Sequence, residues 1–321
     1  MSKFNSFIHS FIESFISYQK ASKHWNQSYE ENVLLFDRYL QKYYRDANIL
    51  TNEMINGWCQ KRNTELNNSC RSRTFVIATL IKYLRDRELS DVNILIMPKL
   101  ENSIYIPHAF TEAELVNFFY ECDHICLRVN NFEGKVRKIT VPVFFRLLYS
   151  SGLRTTEARL LRISDVDLAT GILSIRLSKG YDEHFVVLHD SMLKIMVEYD
   201  IEIKKITPNR TYFFPARKDG FHTRAWVHNN FRQMWDVKNS THAIPYELRH
   251  HYATKNINQW IDKGFDFDAK LVYLSKSMGH TVLESTKYYY SLVPALAELM
   301  EKQSNTSFEE IIPEVLYEES N

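Results

Sequence analysis

Glycine is scarce, with 8 in 321 residues, and none lies in a G-x-x-x-x-G-K-S/T or G-x-G-x-x-G loop. Nucleotide cofactors therefore have no support, because those loops are what let a backbone cradle phosphates. Cysteine is scarcer still. Cys59, Cys70, Cys122 and Cys126 make neither a disulfide framework nor a zinc site, since Cys122-Asp-His124-Ile-Cys126 has no second pair at ligand spacing. No metal is expected, and a reducing cytoplasm is the default compartment. Charge of either sign is nearly balanced, at +1 overall. A nucleic-acid partner would thus have to be met by local basic patches offset by acid elsewhere. Long apolar runs are missing too: Phe4, Phe7, Ile8, Phe11, Ile12 and Phe15 are interrupted by Asn5, His9, Ser10 and Glu13, which makes an amphipathic helix, not a signal peptide or membrane span. There are no internal repeats or low-complexity stretches.

What the chain does have is aromatic mass, 19 Tyr and 20 Phe, and length enough for two cores. Apolar spacing predicts four helices in the first ninety residues: 3 to 20, about 29 to 45, 52 to 65 capped by Thr51, and about 69 to 87. The last is expected to bury Phe75, Val76, Ala78, Leu80, Ile81 and Leu84, and to expose Arg71, Arg73, Lys82, Arg85 and Arg87. Between about 91 and 107 the periodicity lapses around Pro98 and Pro107, as an interdomain linker would. Thr111 to Glu114 is a capping box that starts a new helix. Residues 141 to 149 read as a helix stopped at Ser150-Ser151-Gly152, and 155 to 161 as its successor. Two β-like runs, 172 to 177 and 184 to 188, enclose Ser178-Lys179-Gly180-Tyr181-Asp182 as a hairpin. A basic loop, 215 to 224, precedes a helix at 226 to 235.

The residues that carry chemistry are Ser151-Gly152-Leu153-Arg154-Thr155-Thr156-Glu157, Lys179 in the hairpin, Tyr246-Glu-Leu-Arg249-His250-His251, Gly279-His280, and Tyr288-Tyr289-Tyr290. Arginine forks, a histidine and tyrosine hydroxyls suit an anionic, phosphate-like target. Singly each has a plain explanation: Arg154 pairing with Glu157, Lys179 as an exposed hairpin residue, Gly279 as a helix cap. In this order and spacing they resemble the tyrosine recombinase (phage integrase) family, whose motifs are G-L-R-x-x-E, a hairpin Lys, H-x-x-R, G-H, and a Tyr nine residues after that histidine. Nine from His280 is Tyr289.

The resemblance implies a mainly α (α+β) fold: a helical core-binding domain over 1–90, a linker over 91–107, a mixed α/β catalytic domain over 108–303, and a tail over 304–321. It implies double-stranded DNA as partner and strand cleavage and rejoining through a 3′-phosphotyrosine on Tyr289. Arg154, Arg249 and His280 would stabilise the phosphate and Lys179 would protonate the leaving oxygen. Tyr246 stands where the family has His; a phenol is a poor base near neutrality, so it is expected to donate a hydrogen bond, with His250 partly compensating. Further DNA contacts are expected from Arg71, Arg73, Lys82, Arg217, Lys218, Arg224 and His250. No cofactor is implied. Two alternatives stay open: a recombinase-like protein that binds DNA with weakened catalysis, and a type IB topoisomerase-like enzyme. Beyond Tyr289, apolar stripes at 292–300 and 308–316 lead to the expectation that the tail couples protomers into a tetramer on paired DNA sites.

Overall fold

A computed structural model describes residues 3–22, 25, 27–93, 97–101, 105–126, 131–176, 183–260 and 267–280. The chain divides into two units, residues 1–105 and 106–321.

The first unit is helical: α1 His9–Ala21, α2 Gln27–Tyr43, α3 Asn52–Cys59 and α4 Asn67–Arg85. Ile12, Phe15, Phe36, Leu40, Trp58, Ile77, Leu80 and Ile81 form its core. Thr51 does cap α3, its hydroxyl accepting from the Met54 N–H. Asp37 is buried in α2, and its carboxylate accepts the backbone N–H groups of Asn5 and Ser6, at 3.0 and 2.9 Å. That fixes the segment entering α1.

On α4 the face differs from the expected one. Arg73 is 4% exposed, while Phe75 is 46% exposed. Positions 73, 77, 80, 81 and 84 share one stripe at helical spacing, and Phe75 falls on the other side. The Arg73 guanidinium donates to both Glu65 oxygens, at 3.0 and 2.7 Å, and to the carbonyls of Trp58 and Gln60. Arg73 is therefore a buried brace across the α3–α4 connection, not a surface contact for DNA. Arg71 donates to the Pro98 carbonyl, and Lys82 is exposed.

The second unit is built on α6, Phe132–Ser151, whose Thr140, Val141, Phe144, Phe145, Leu147 and Leu148 are buried. Around it pack α5 Glu112–Asp123, α8 Asp190–Ile206 and α10 Glu247–Trp260. The capping box on α5 is present, with Thr111 and Glu114 satisfying each other's backbone donors. Rings of Phe118, Phe145, Phe231 and Trp235 join α5, α6 and α9 Arg224–Trp235 in one aromatic cluster. A three-stranded antiparallel sheet lies between α7 Thr155–Leu160 and α8: β1 Val166–Asp167, β2 Ile172–Ile175 and β3 His184–Val187. Leu173 faces Val186 and Ser174 faces Phe185 across β2 and β3, so the hairpin is formed as expected, with β1 added at its edge. The last described helix is α11, Phe267–Ser277.

Candidate active site

Three segments far apart in sequence meet through two glycines. Gly152 ends α6 in the left-handed region, φ +65°, and Gly279 follows α11 at φ +63°. A Cβ on Gly152 would lie 2.3 Å from the Tyr252 ring, and one on Gly279 would lie 2.5 Å from the His184 ring. Only a glycine fits either place, for conformation and for space. Each glycine carbonyl accepts from an arginine: Arg249 Nη1 donates to the Gly152 oxygen at 2.6 Å, and Arg154 Nη2 to the Gly279 oxygen at 2.9 Å.

Arg154 sits at the entrance to α7. Its backbone N–H and its Nη1 both donate to Glu157, at 2.7 and 2.5 Å. The plain pairing with Glu157 is therefore real, and it aims the guanidinium: the same side chain reaches the turn before His280. Arg249, on α10, is 1% exposed. Its Nη2 donates to the Met278 carbonyl at 2.7 Å and lies 3.0 Å from His280 Nε2, while Nη1 is 4.0 Å from the other Glu157 oxygen. Among the described residues two guanidinium groups thus share one carboxylate, with donors of the kind that suit an anion.

His280 is placed by its own N–H, which donates to the Ser275 carbonyl at 3.0 Å. Burial, then the positive charges of Arg249 and Arg154, lower its pKa to about 4. At neutral pH it is an uncharged imidazole. For Nε2 to accept from Arg249, the ring proton must be on Nδ1, a tautomer inferred from the contact.

Tyr246 is 38% exposed and packs edge-on against His250, ring centroids 5.0 Å apart. Among the described residues it makes no side-chain hydrogen bond to Arg154, Arg249 or His280. His250 is buried and held neutral, its pKa pressed to about 4 by burial and by Arg249. It supports Tyr246 and offers no charge to DNA. Arg217, Lys218 and Arg224 are exposed on the basic loop and the first turn of α9, where Arg217 also lies 3.4 Å from Glu133. Lys179 and Tyr289 lie outside the described residues. The backbone partners were not foreseen, nor were His184 and Tyr252; the only sequence signal for them is a glycine just before each motif residue in a glycine-poor chain.

Comparison with known proteins gives the family. Residues 111–295 match the model of the phage integrase family. The chain belongs to that family. It is a tyrosine-type site-specific recombinase. A putative integrase/recombinase of Sinorhizobium fredii is 27% identical over 188 residues, 57% of this chain and 59% of that one. The tyrosine recombinase XerD of Rickettsia bellii is 24% identical over 309 residues, 89% of this chain and 94% of that one. Among solved structures, the Tn1549 transposon integrase in complex with a circular intermediate DNA covers 91% of this chain and 98% of its own, with a TM-score of 0.60 at 12% identity. The XerH recombinase bound to its difH substrate covers 88% and 79%, with a TM-score of 0.58 at 19% identity. Both share the recombinase's fold. Among the described residues no helix is long and apolar enough to cross a membrane.

Proposed function

We propose that this recombinase cuts and rejoins duplex DNA with Tyr289 as nucleophile, Arg154, Arg249 and His280 on the scissile phosphate, and Lys179 as acid to the leaving 5′ oxygen. The observation that carries the proposal is the convergence of Arg154 and Arg249, from separated segments, on the Glu157 carboxylate and two glycine carbonyls, with His280 Nε2 3.0 Å from Arg249. Two guanidinium groups stabilise the charge that builds on the non-bridging oxygens without any metal, and their rigid backbone anchors leave little reorganisation for the transition state. The attack transfers the phosphorus from the 5′ oxygen to the tyrosine oxygen. The broken diester is kept as a phosphotyrosine ester, and a free 5′ hydroxyl later reverses the step. Tyr246 lends a hydrogen bond at the rim.

A nicked suicide duplex tests this directly. Wild type is expected to form a covalent DNA adduct, unchanged by excess EDTA, and Tyr289→Phe to bind without forming one; adduct surviving in Tyr289→Phe and lost in Tyr290→Phe would reassign the nucleophile. The position of Tyr246, off the arginine–histidine cluster, favours as second reading a protein that holds DNA but cuts it slowly. That reading expects no adduct from wild type and a gain of adduct in Tyr246→His. Relaxation of a supercoiled plasmid with no special site would instead mark topoisomerase-like use of the same groups.

A further inference from the structure

Arg159, on α7, has no part in the cluster above, since five residues separate it from Arg154, about 140° around a helix. It is 9% exposed, yet among the described residues no carboxylate pairs with it. Nη1 donates to the His222 carbonyl at 2.8 Å, and the guanidinium carbon lies 5.3 Å from the Phe221 ring centroid. Nε is buried without a hydrogen-bond partner. A buried cation with one neutral acceptor is costly, which is why such groups are ordinarily paired.

The surroundings add positive charge. Arg224 is the exposed first residue of α9, and its charge, after burial, lowers the pKa of Arg159. Thr223 caps that helix, accepting from the Trp226 N–H at 3.1 Å, so the positive end of the helix dipole lies at the same place. His222 is held rigid: its ring stacks on Trp226 at 3.7 Å and 12°, and burial lowers its pKa to about 4, leaving it neutral. The carbonyl gripping Arg159 therefore cannot readily swing away. Among the described residues no carboxylate pairs with Arg159 or with Arg224, so the guanidinium bonded to His222 and the helix start two residues on are left without an anion.

We propose that Arg159 and Arg224 form an anion-binding station separate from the Arg154–Arg249–His280 cluster, which holds a backbone phosphate of the bound duplex. The station rests on duplex DNA being the substrate, as proposed above, and it needs no particular base sequence.

Two measurements test it. In the first, a fixed 30-bp duplex of arbitrary sequence is titrated at several salt concentrations. The slope of log K against log salt should be shallower by about 0.9 in Arg159→Met, the loss of one phosphate contact, and unchanged in Arg159→Lys, which keeps the charge. An unchanged slope in Arg159→Met, or equal losses in both variants, overturns the assignment. In the second, without DNA, sulfate should raise the Tm of wild type more than that of Arg159→Met, and the Tm of Arg159→Met in low salt should equal or exceed that of wild type. A large drop would show a purely structural arginine and overturn the station. Absence of duplex binding by wild type, with the sulfate difference retained, would count against the DNA reading and leave the anion station standing.

Discussion

At the scale of single residues, the buried histidines tie stability to pH. His222, His250 and His280 are each depressed from the usual imidazole value to about 4. Between about pH 6.5 and 4 the unfolded chain therefore binds protons that the folded chain refuses, so stability rises with pH and is lost as pH falls through that window. Each unit of depression corresponds to about 1.4 kcal/mol, so the more deeply buried His222 and His250 contribute on the order of a few kcal/mol. Urea midpoints should fall between pH 7 and pH 5, with a smaller fall in His222→Phe, which keeps the stack on Trp226; identical midpoints at the two pH values would refute it. Gly152→Ala should cost at least about 2 kcal/mol, since it combines a positive φ with a clash into Tyr252, and thermal unfolding would show it. The meeting of Arg154, Arg249 and His280 is legible because arginines and histidine in this order and spacing are rare. Its scaffolding is not, because backbone carbonyls have no letter in a sequence: nothing in the letters of Met278 or Gly152 says that their oxygens hold Arg249.

At the scale of elements, legibility followed periodicity and caps. Thr51 and Thr111 mark helix starts by a local hydrogen bond that the sequence itself encodes. The hairpin strands β2 and β3 show in their β-branched runs, whereas β1, two residues long, has no periodicity to show. Helix α8 is faint in the sequence although Met192, Met196, Tyr199 and Ile203 repeat at helical spacing, because its acidic and basic neighbours dilute the stripe. An arginine amid other arginines is expected on a solvated face; the Glu65 carboxylate eight residues earlier and the Trp58 and Gln60 carbonyls turn Arg73 inward. Arg73→Ala should therefore destabilise the first unit by about 2 kcal/mol, by leaving the half-buried Glu65 carboxylate and the Trp58 and Gln60 carbonyls without their donor. It should leave the salt dependence of DNA binding as in wild type. A shallower salt slope without loss of stability would return Arg73 to the DNA surface.

At the scale of the whole molecule, a net charge of +1 means that attraction to DNA comes from groups gathered in places, not from the chain's total. Assembly belongs to this scale as well. The tail at 304–321 lies outside the described residues, and removing it is expected to spare binding to a single site while weakening synapsis of two; full-strength synapsis by the truncated protein, followed by native gel, would show the tail has no coupling role. The grip of Gly152 and Gly279 on the arginines has a bearing on genetics. In a collection of inactivating substitutions, those glycines, Tyr252 and His184 would score beside Arg249 and Tyr289, although none of the four is among the groups proposed to make or break bonds. A census of dead variants would thus overstate the size of the reacting machinery. Thermal stability should sort the two kinds: substitutions at the scaffold are expected to lower Tm along with activity, whereas Tyr289→Phe, at the proposed nucleophile, is expected to silence the enzyme while leaving Tm where it was.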